Sequence, residues 1–347
     1  MARVVSALMA IETAYRIDLP ADDWLQCMGE SVLRLAGGDG GLVSFLFDAS
    51  LDDKPVDLGA LRVAGDTSPQ LTEHSRSFHQ RMTGSTYRLI FPGPGRPSIN
   101  GPITEHLRSL GLEPAEFPPL VDLLSRLGVP ELWSLWAVVD GTEGVGFVRA
   151  MPGGERPSPP THEWWEDLGA HIAAGYRARL ALSGVSPLDA AEAVFRPDGT
   201  PVSATEPQKP RIETWSRIVR AIDRARAADF RTGENAVREV WSGIIEGRWS
   251  LFDHVDTDGK RYVVLVETGG SPSTGRRALS STQREVCLRA ARGLSNKEIA
   301  YELGMSLSSV ATHLRRGLEK LGISGRPRLQ RLGPLLRGLR GSTTEAE

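Results

Sequence analysis

The sequence predicts an α+β multidomain chain that ends in an all-α domain of four helices. Three observations carry this reading. The 347 residues exceed the roughly 100 to 200 typical of one domain, which points to two or three domains. Between Ala21 and Leu182, helical patterns interrupt a meander-like set of strand patterns, an α+β order rather than regular βαβ winding. From Leu279 onward, short capped helical patterns follow one another.

Taken in order, the first region predicts a helix over Asp22–Ala36, strands over Leu42–Phe47 and Leu58–Val63, a helix over Pro69–Met82 and a strand over Thr86–Phe91. A helix over Ala115–Leu127, strands over Leu132–Val139 and Val145–Ala150, and a helix over Thr161–Leu182 follow. Trp133 and Trp136 are three apart on one strand and so fall on opposite faces. One could line a pocket while the other packs under a helix; core packing of both is the simpler role. Trp164 and Trp165 are expected to pack as well. In its order of elements this region, residues 1–182, resembles a GAF-type sensor domain.

A smaller segment, residues 188–267, is similar to the PAS/GAF class. AEAVF, PDG and PVSA read as strand, turn and strand, and Ile212, Trp215, Val219 and Ile222 share one helical face. Trp249–Val255 and Arg261–Glu267 read as a hairpin flanking Asp256-Thr257-Asp258-Gly259. That acidic turn echoes part of a calcium loop, but Leu265 stands where the bidentate Glu belongs, so a plain turn is expected. Pro/Gly/Ser clusters at Met151–Pro160, Ser183–Pro187, Pro197–Pro210 and Thr268–Gly275 mark boundaries. The last belongs to a linker, residues 268–276, across which the charge changes sign.

With 40% hydrophobic and 24% charged residues, the composition excludes wholesale disorder, and no collagen-like repeat is present. The start lacks an apolar core with a cleavage site, and no stretch approaches about 18 unbroken apolar residues. A cytoplasmic chain with no membrane partner is expected. Cys27 and Cys287 lie far apart with no Cys/His cluster beside them, so two free, largely buried thiols are expected rather than a disulfide or zinc site. His74, His79, His106, His162 and His171 show no metal-ligand pairing and read as ordinary polar residues. No phosphate-binding loop, nucleophile elbow or zinc-protease motif is found, and a receiver domain lacks its late Lys, since none lies between Lys54 and Lys209. The chain is therefore not read as an enzyme, and no cofactor is assigned.

The overall charge of −2 hides an asymmetry. Arg276 to Arg340 carries 14 basic residues against Glu285, Glu298, Glu302 and Glu319, a net of +10, which leaves −12 on the rest. A basic block on an acidic chain points to a polyanion held at one end.

Within that block, residues 277–340, Ser280 can cap a helix over Ser281–Arg292 that Gly293 ends. Ser295 caps a second, with Glu298 completing a capping box, Ile299, Ala300 and Leu303 facing inward and Gly304 closing it. Ser306 caps a third, in which Val310, Leu314, Leu318 and Leu321 form one stripe. Pro327 suits the first turn of a fourth, carrying Leu329, Leu332 and Leu335 or Leu336. Two short helices joined by a Gly-containing turn make a helix-turn-helix. Its outer face presents Ala311, Thr312, Arg315, Arg316 and Glu319. Such a helix fits the DNA major groove, where Arg can pair with guanine and a Thr methyl can touch thymine. The helix starts at Ser295 and Ser306 could hold phosphates, with Lys297 adding charge.

GLSNKEIAYELGMS, the later His313 and the KLG at Lys320–Gly322 resemble the LuxR-type (GerE-type) helix-turn-helix of bacterial transcription regulators. The resemblance implies double-stranded DNA as partner, contacted by Ser295, Lys297, Ser306, Ser308, Ser309, Ala311, Thr312, His313, Arg315 and Arg316. Lys297 and the helix starts would meet phosphates, Ala311, Thr312 and Arg315 would face bases, and His313 is read as a packing or backbone-contacting residue. Val310 is the core anchor, and the helix after Pro327 would support a homodimer. RNA polymerase and a small-molecule effector are further partners consistent with such a regulator. Several residues depart from the family pattern. Thr282-Gln283 replaces Arg-Glu and removes an ion pair, Arg289 occupies a usually apolar position, Ser309 replaces Thr and Ala311 replaces Lys. Gly317 inside the recognition helix is expected to cost about 1 kcal/mol relative to Ala.

The resulting expectation is a sequence-specific transcription regulator whose N-terminal domains sense a ligand or partner. Its rivals are a protein-interaction regulator with a degenerate helix-turn-helix, for which Ala311 and Gly317 speak, and an enzyme with a DNA-targeting tail.

Overall fold

The computed structural model describes residues 9–37, 40–66, 69–91, 98–110, 112–139, 141–151, 162–183, 185–227, 249–255, 259–267, 279–321, 323 and 325–330. Contacts divide the chain into two compact units, each assembled from separated stretches: Met1–Leu35 with Ala170–Pro272, and Ala36–Gly169 with Ser273–Glu347.

In the first unit, a helix at 9–14 (α1) meets the C-terminal half of a long helix, α7 (His162–Ala181). Gly175 permits the approach, because any Cβ there would overlap the Ala14 backbone. Trp24, near the start of α2 (Ala21–Ala36), stacks on Tyr176 with centroids 6.0 Å apart and donates from Nε1 to Thr13 O at 3.0 Å. Arg179 lies over the Trp24 ring at 5.1 Å and donates to Leu19 O at 2.6 Å.

The same unit holds an antiparallel sheet ordered β7-β6-β9-β8, from β6 (Ala191–Phe195), β7 (Pro201–Ala204), β8 (Trp249–Val255) and β9 (Arg261–Glu267). The predicted hairpin is β8 and β9; its turn residues Asp256, Thr257 and Asp258 lie outside the described residues, as does the whole 268–276 linker. Gly199 takes φ 80 in the β6–β7 turn, a backbone angle that suits glycine. On α8 (Ile212–Ala227), Trp215, Val219 and Ile222 are buried as their spacing predicts. Ile212 is half-buried.

The second unit is built on a five-stranded antiparallel sheet ordered β2-β1-β5-β4-β3. Its strands are β1 (Leu42–Asp48), β2 (Asp57–Ala64), β3 (Ser98–Pro102), β4 (Leu132–Val139) and β5 (Glu143–Ala150). Register sets Gly146 of the middle strand between Phe45 and Trp136, and Gly144 between Phe47 and Val138. A Cβ at Gly146 would overlap the Phe45 ring and lie 2.9 Å from the Trp136 ring. The missing side chains thus let large rings lie over the sheet.

On that face Trp136 has Phe45, Phe47, His79, Tyr87 and Phe91 around it, at centroid distances between 4.5 and 5.7 Å. Trp133, on the other face, meets Trp165 of α7 edge-on at 4.8 Å. Helices α3 (Pro69–Gln80), α4 (Gly84–Ile90), α5 (Ile103–Ser109) and α6 (Pro118–Leu127) complete this part.

The strand expected over Thr86–Phe91 is α4 instead. Thr83 caps it, its hydroxyl accepting from Thr86 N at 3.3 Å, and Phe91 N closes it on Tyr87 O at 2.7 Å. All seven residues of α4 are buried, so the helix has no polar face and its sequence shows no 3.6-residue period. At Gly84 a Cβ would lie 2.5 Å from Ala49 O. The helix expected from Ala115 starts at Pro118 after a short turn of 3-10 helix. The sequence reading lacks β3 and α5; the Pro/Gly-dense stretch before them hides their periodicity.

Two of the histidines, His79 and His171, are core residues, and His106 is half-buried. Burial lowers His79 and His106 to about 4 and His171 to about 3. His79 Nδ1 donates to Ser75 O at 2.6 Å, His106 Nε2 bonds Ile90 O at 2.9 Å, and His171 Nδ1 bonds the Tyr15 hydroxyl at 3.0 Å. When unfolded, each imidazole takes up a proton near pH 6.5. The folded protein resists that proton, so their contribution is intact above pH 6.5 and is lost as pH falls toward 4. Urea denaturation at pH 5 should show stability lower than at pH 7.5 by about 2 kcal/mol for each of these histidines. A flat profile across that window would contradict their burial as neutral groups.

Candidate nucleic-acid interface

Among its described residues the basic block forms four helices in the second unit: α9 (Ser281–Ala291), α10 (Asn296–Leu303), α11 (Leu307–Leu321) and α12 (Arg326–Gln330). Local chemistry sets their starts. Ser280 and Gln283 make a capping box on α9, with Gln283 N donating to Ser280 Oγ at 3.2 Å and Ser280 N to Gln283 Oε1 at 3.0 Å. Ser295 and Glu298 make the predicted box on α10; the Ser295 amide holds the Glu298 carboxyl below its usual range. Gly304 ends α10 with φ 62, and Ser306 Oγ accepts from Ser309 N at 3.1 Å to start α11.

Gln283 also answers the expectation of a lost ion pair. Its Oε1 accepts from Lys320 Nζ at 2.8 Å, so an uncharged side chain ties the start of α9 to the end of α11. Arg289, charged where an apolar residue was expected, bonds Glu302 at 2.9 Å and links α9 to α10.

On α11, Val310, Leu314 and Leu321 are buried and Leu318 is partly buried, forming the predicted stripe. Leu329 of α12 is buried; Leu332, Leu335 and Leu336 lie outside the described residues. Away from the stripe, Ala311, Arg315, Arg316 and Glu319 are exposed, and Thr312 and His313 are half-buried. Arg315 bonds Glu319 at 2.6 Å along the exposed face, and Thr312 Oγ1 donates to Ser308 O at 2.9 Å. Ser295, Lys297, Ser306 and Ser308 are exposed, and Ser309 is half-buried. Ser306 Oγ lies 2.9 Å from Ser308 Oγ and 2.8 Å from Ser309 Oγ, which gathers three hydroxyls at one helix start. His313 turns a buried Nδ1 inward, without a partner among the described residues.

Buried arginines escaped the sequence reading, and two of them join α4 to the helix-turn-helix. Arg88 of α4 is 7% exposed. It bonds Ala49 O, pairs with Asp52 and donates to Leu321 O at 3.1 Å. Arg284 of α9 is 8% exposed and donates to Phe91 O at 3.1 Å. Each guanidinium thus serves a carbonyl at the end of the other part's helix, where backbone acceptors lack intrahelical donors and the dipole favours a cation. The one available signal was a charge on an otherwise inward face.

Gly317 is a correction in sign. It is buried against α9, and a Cβ there would overlap Cys287 Sγ. Cys287 is fully buried, and burial pushes its thiol up to about 12; Cys27, expected to be largely buried, is half-exposed. Glycine is thus required for close packing, not a weakness of the helix. Gly317→Ala should lower stability by about 1 to 2 kcal/mol in chemical denaturation, overpacking outweighing the propensity gain. In a Cys287→Ala background the same change should become neutral or stabilising. A stabilising Gly317→Ala single variant would restore the propensity argument.

Residues 277–332 match the family described as bacterial regulatory proteins, luxR family (GerE). A solved structure, SdiA in complex with octanoyl-rac-glycerol, aligns with 94% of this chain and 93% of its own at 8% identity. Its TM-score of 0.29 is one from which no shared fold follows. Comparison with curated proteins gives no match. The capped four-helix geometry and the family match together make residues 277–332 a LuxR-type helix-turn-helix domain.

Proposed function

We propose that the chain is a transcription regulator that binds double-stranded DNA through α11 and is controlled by its N-terminal domains. The observation that carries this is the exposed face of α11. Ala311, Thr312, Arg315 and Arg316 lie away from the buried Val310 stripe, within a segment of net charge +10. Arg315 reads a base by exchanging Glu319 for guanine, Lys297 and the starts of α10 and α11 meet phosphates, and Ser306, Ser308 and Ser309 supply hydroxyls there. His313 supports the helix from inside.

Within this reading residues 1–182 act as a GAF-like sensor, 188–267 as a smaller PAS-like domain, 268–276 as a linker and 277–340 as the DNA-binding domain. The antiparallel order β2-β1-β5-β4-β3, with helices inserted between its strands, supports the sensor assignment. The regulator acts as a cytoplasmic homodimer, consistent with a chain in which no described helix is long and apolar enough to cross a membrane. The rival reading, a degenerate module that contacts only protein, loses one of its two supports, since Gly317 has a packing reason. Ala311 remains its motive.

Footprinting with the full chain should yield a two-fold site with half-site centres about 10 base pairs apart. Arg315→Ala should weaken that site by about 1 to 3 kcal/mol more than random DNA, while Lys297→Ala weakens both alike. Ala311→Lys should tighten binding and, if it reaches a phosphate, steepen the log K against log salt slope by about 0.9. A full chain that binds no duplex, with or without Ala311→Lys, would transfer the argument to the protein-contact reading.

A further inference from the structure

The helix-turn-helix and the five-stranded sheet of the second unit are joined by more than the backbone. One body of buried apolar side chains runs from Leu89 and Ile90 of α4 into Val286, Cys287 and Leu321 of the helix-turn-helix, and α4 packs against both α9 and α11. Two guanidinium groups cross that seam in opposite directions. Arg88 donates to the carbonyl of Leu321, the last residue of α11, at 3.1 Å. Arg284 of α9 donates to the carbonyl of Phe91, the residue that closes α4, at 3.1 Å. Both side chains are buried, and a charged donor makes the stronger class of hydrogen bond. Lifting the helix-turn-helix away would break both bonds and wet α4, a helix with all seven residues buried and no polar face.

Seam and reading face lie apart on α11. With 15 residues, the helix is about 22 Å long at 1.5 Å per residue. Ser306, Ser308 and Ser309 gather at its start, and Ala311, Arg315 and Arg316 are exposed along it. Those exposures are the ones that remain with the domain on its seat, so α4 does not cover them. The end of α11, where the helix dipole favours a cation, meets Arg88. Its start, which favours an anion, faces outward.

We propose that α4 is a permanent seat for the helix-turn-helix, clamped by Arg88 and Arg284, and that the domain reads DNA while seated rather than after release. The sheet then grips the recognition helix by the end that DNA does not use. A displacement of α4 carries Leu321 with it, so control acts by re-aiming α11 and not by uncovering it. The second half of this proposal rests on the DNA reading of α11; the seat itself rests on the packing and the two arginines.

The test cuts the folded full chain at a protease site placed within the 268–276 linker and follows the two pieces. In the parent they should co-elute in size-exclusion chromatography at micromolar concentration. Arg284→Met, which keeps an unbranched apolar stem and removes the donors, should weaken the pairing about tenfold, the loss of one charged hydrogen bond. Arg284→Lys, which keeps a charged donor, should recover part of that loss. Arg284 is the better target because Arg88 also serves Ala49 O and Asp52. On a labelled duplex carrying the footprinted site, the cut parent should shift as a complex that contains both pieces. Pieces that part on cutting, an Arg284→Met pairing as tight as the parent's, or a duplex that carries only the C-terminal piece would each overturn the proposal. A paired complex that binds no duplex would overturn the DNA reading instead, with the seat decided by the co-elution.

Discussion

A guanidinium removed from water must find acceptors for its donors and a partner for its charge, or the burial is not tolerated. Arg88 meets that demand from three directions: Ala49 O, the Asp52 carboxylate and Leu321 O. The first two fix the loop after β1, and the third fixes the end of the recognition helix. Arg284 returns the same bond to Phe91 O. The planar five-donor fork of arginine makes this possible where lysine, a point charge, would satisfy fewer acceptors in fixed directions. Much of the second unit's arrangement follows, since α4 can be wholly buried only if its charged residue has these partners.

The helix-turn-helix is consequently both a local and a non-local object. Its helices are started and stopped by neighbours three residues away, through the Ser280–Gln283 and Ser295–Glu298 boxes and the left-handed Gly304. Its internal packing depends on shape: Gly317 admits Cys287, and Lys320 reaches Gln283. Its position against the sheet depends on buried arginines that the DNA-contacting surface does not include. Because those sets of residues do not overlap, one can change without erasing the other.

The aromatic cluster around Trp136 is decided by packing across distant segments. Gly144 and Gly146 leave room for the Phe45, Phe47 and Trp136 rings, and the helix that carries Tyr87 also carries Arg88, which donates to Leu321 O.

How much could be read in advance depended on the sequence distance over which each decision is made. Caps, turns and one-sided apolar stripes act within a helical turn or a hairpin, so α9 to α11, the β8–β9 hairpin and the exposed Arg315 face were legible before any coordinates. Helix α4 was misread because a fully buried segment displays neither helical nor strand periodicity, and its state is chosen by what surrounds it. The grouping of Met1–Leu35 with Ala170–Pro272 was likewise invisible, since no local pattern encodes which distant stretches share a core. Gly317 looked like a defect until Cys287, thirty positions earlier, was found against it. By itself the sequence determined the local elements and the chemistry of one exposed helix. Only the tertiary structure decided that Arg88 meets Leu321 across 233 residues and Arg284 meets Phe91 across 193, because a buried charge chooses its partners by proximity in the folded chain, which no short-range rule specifies.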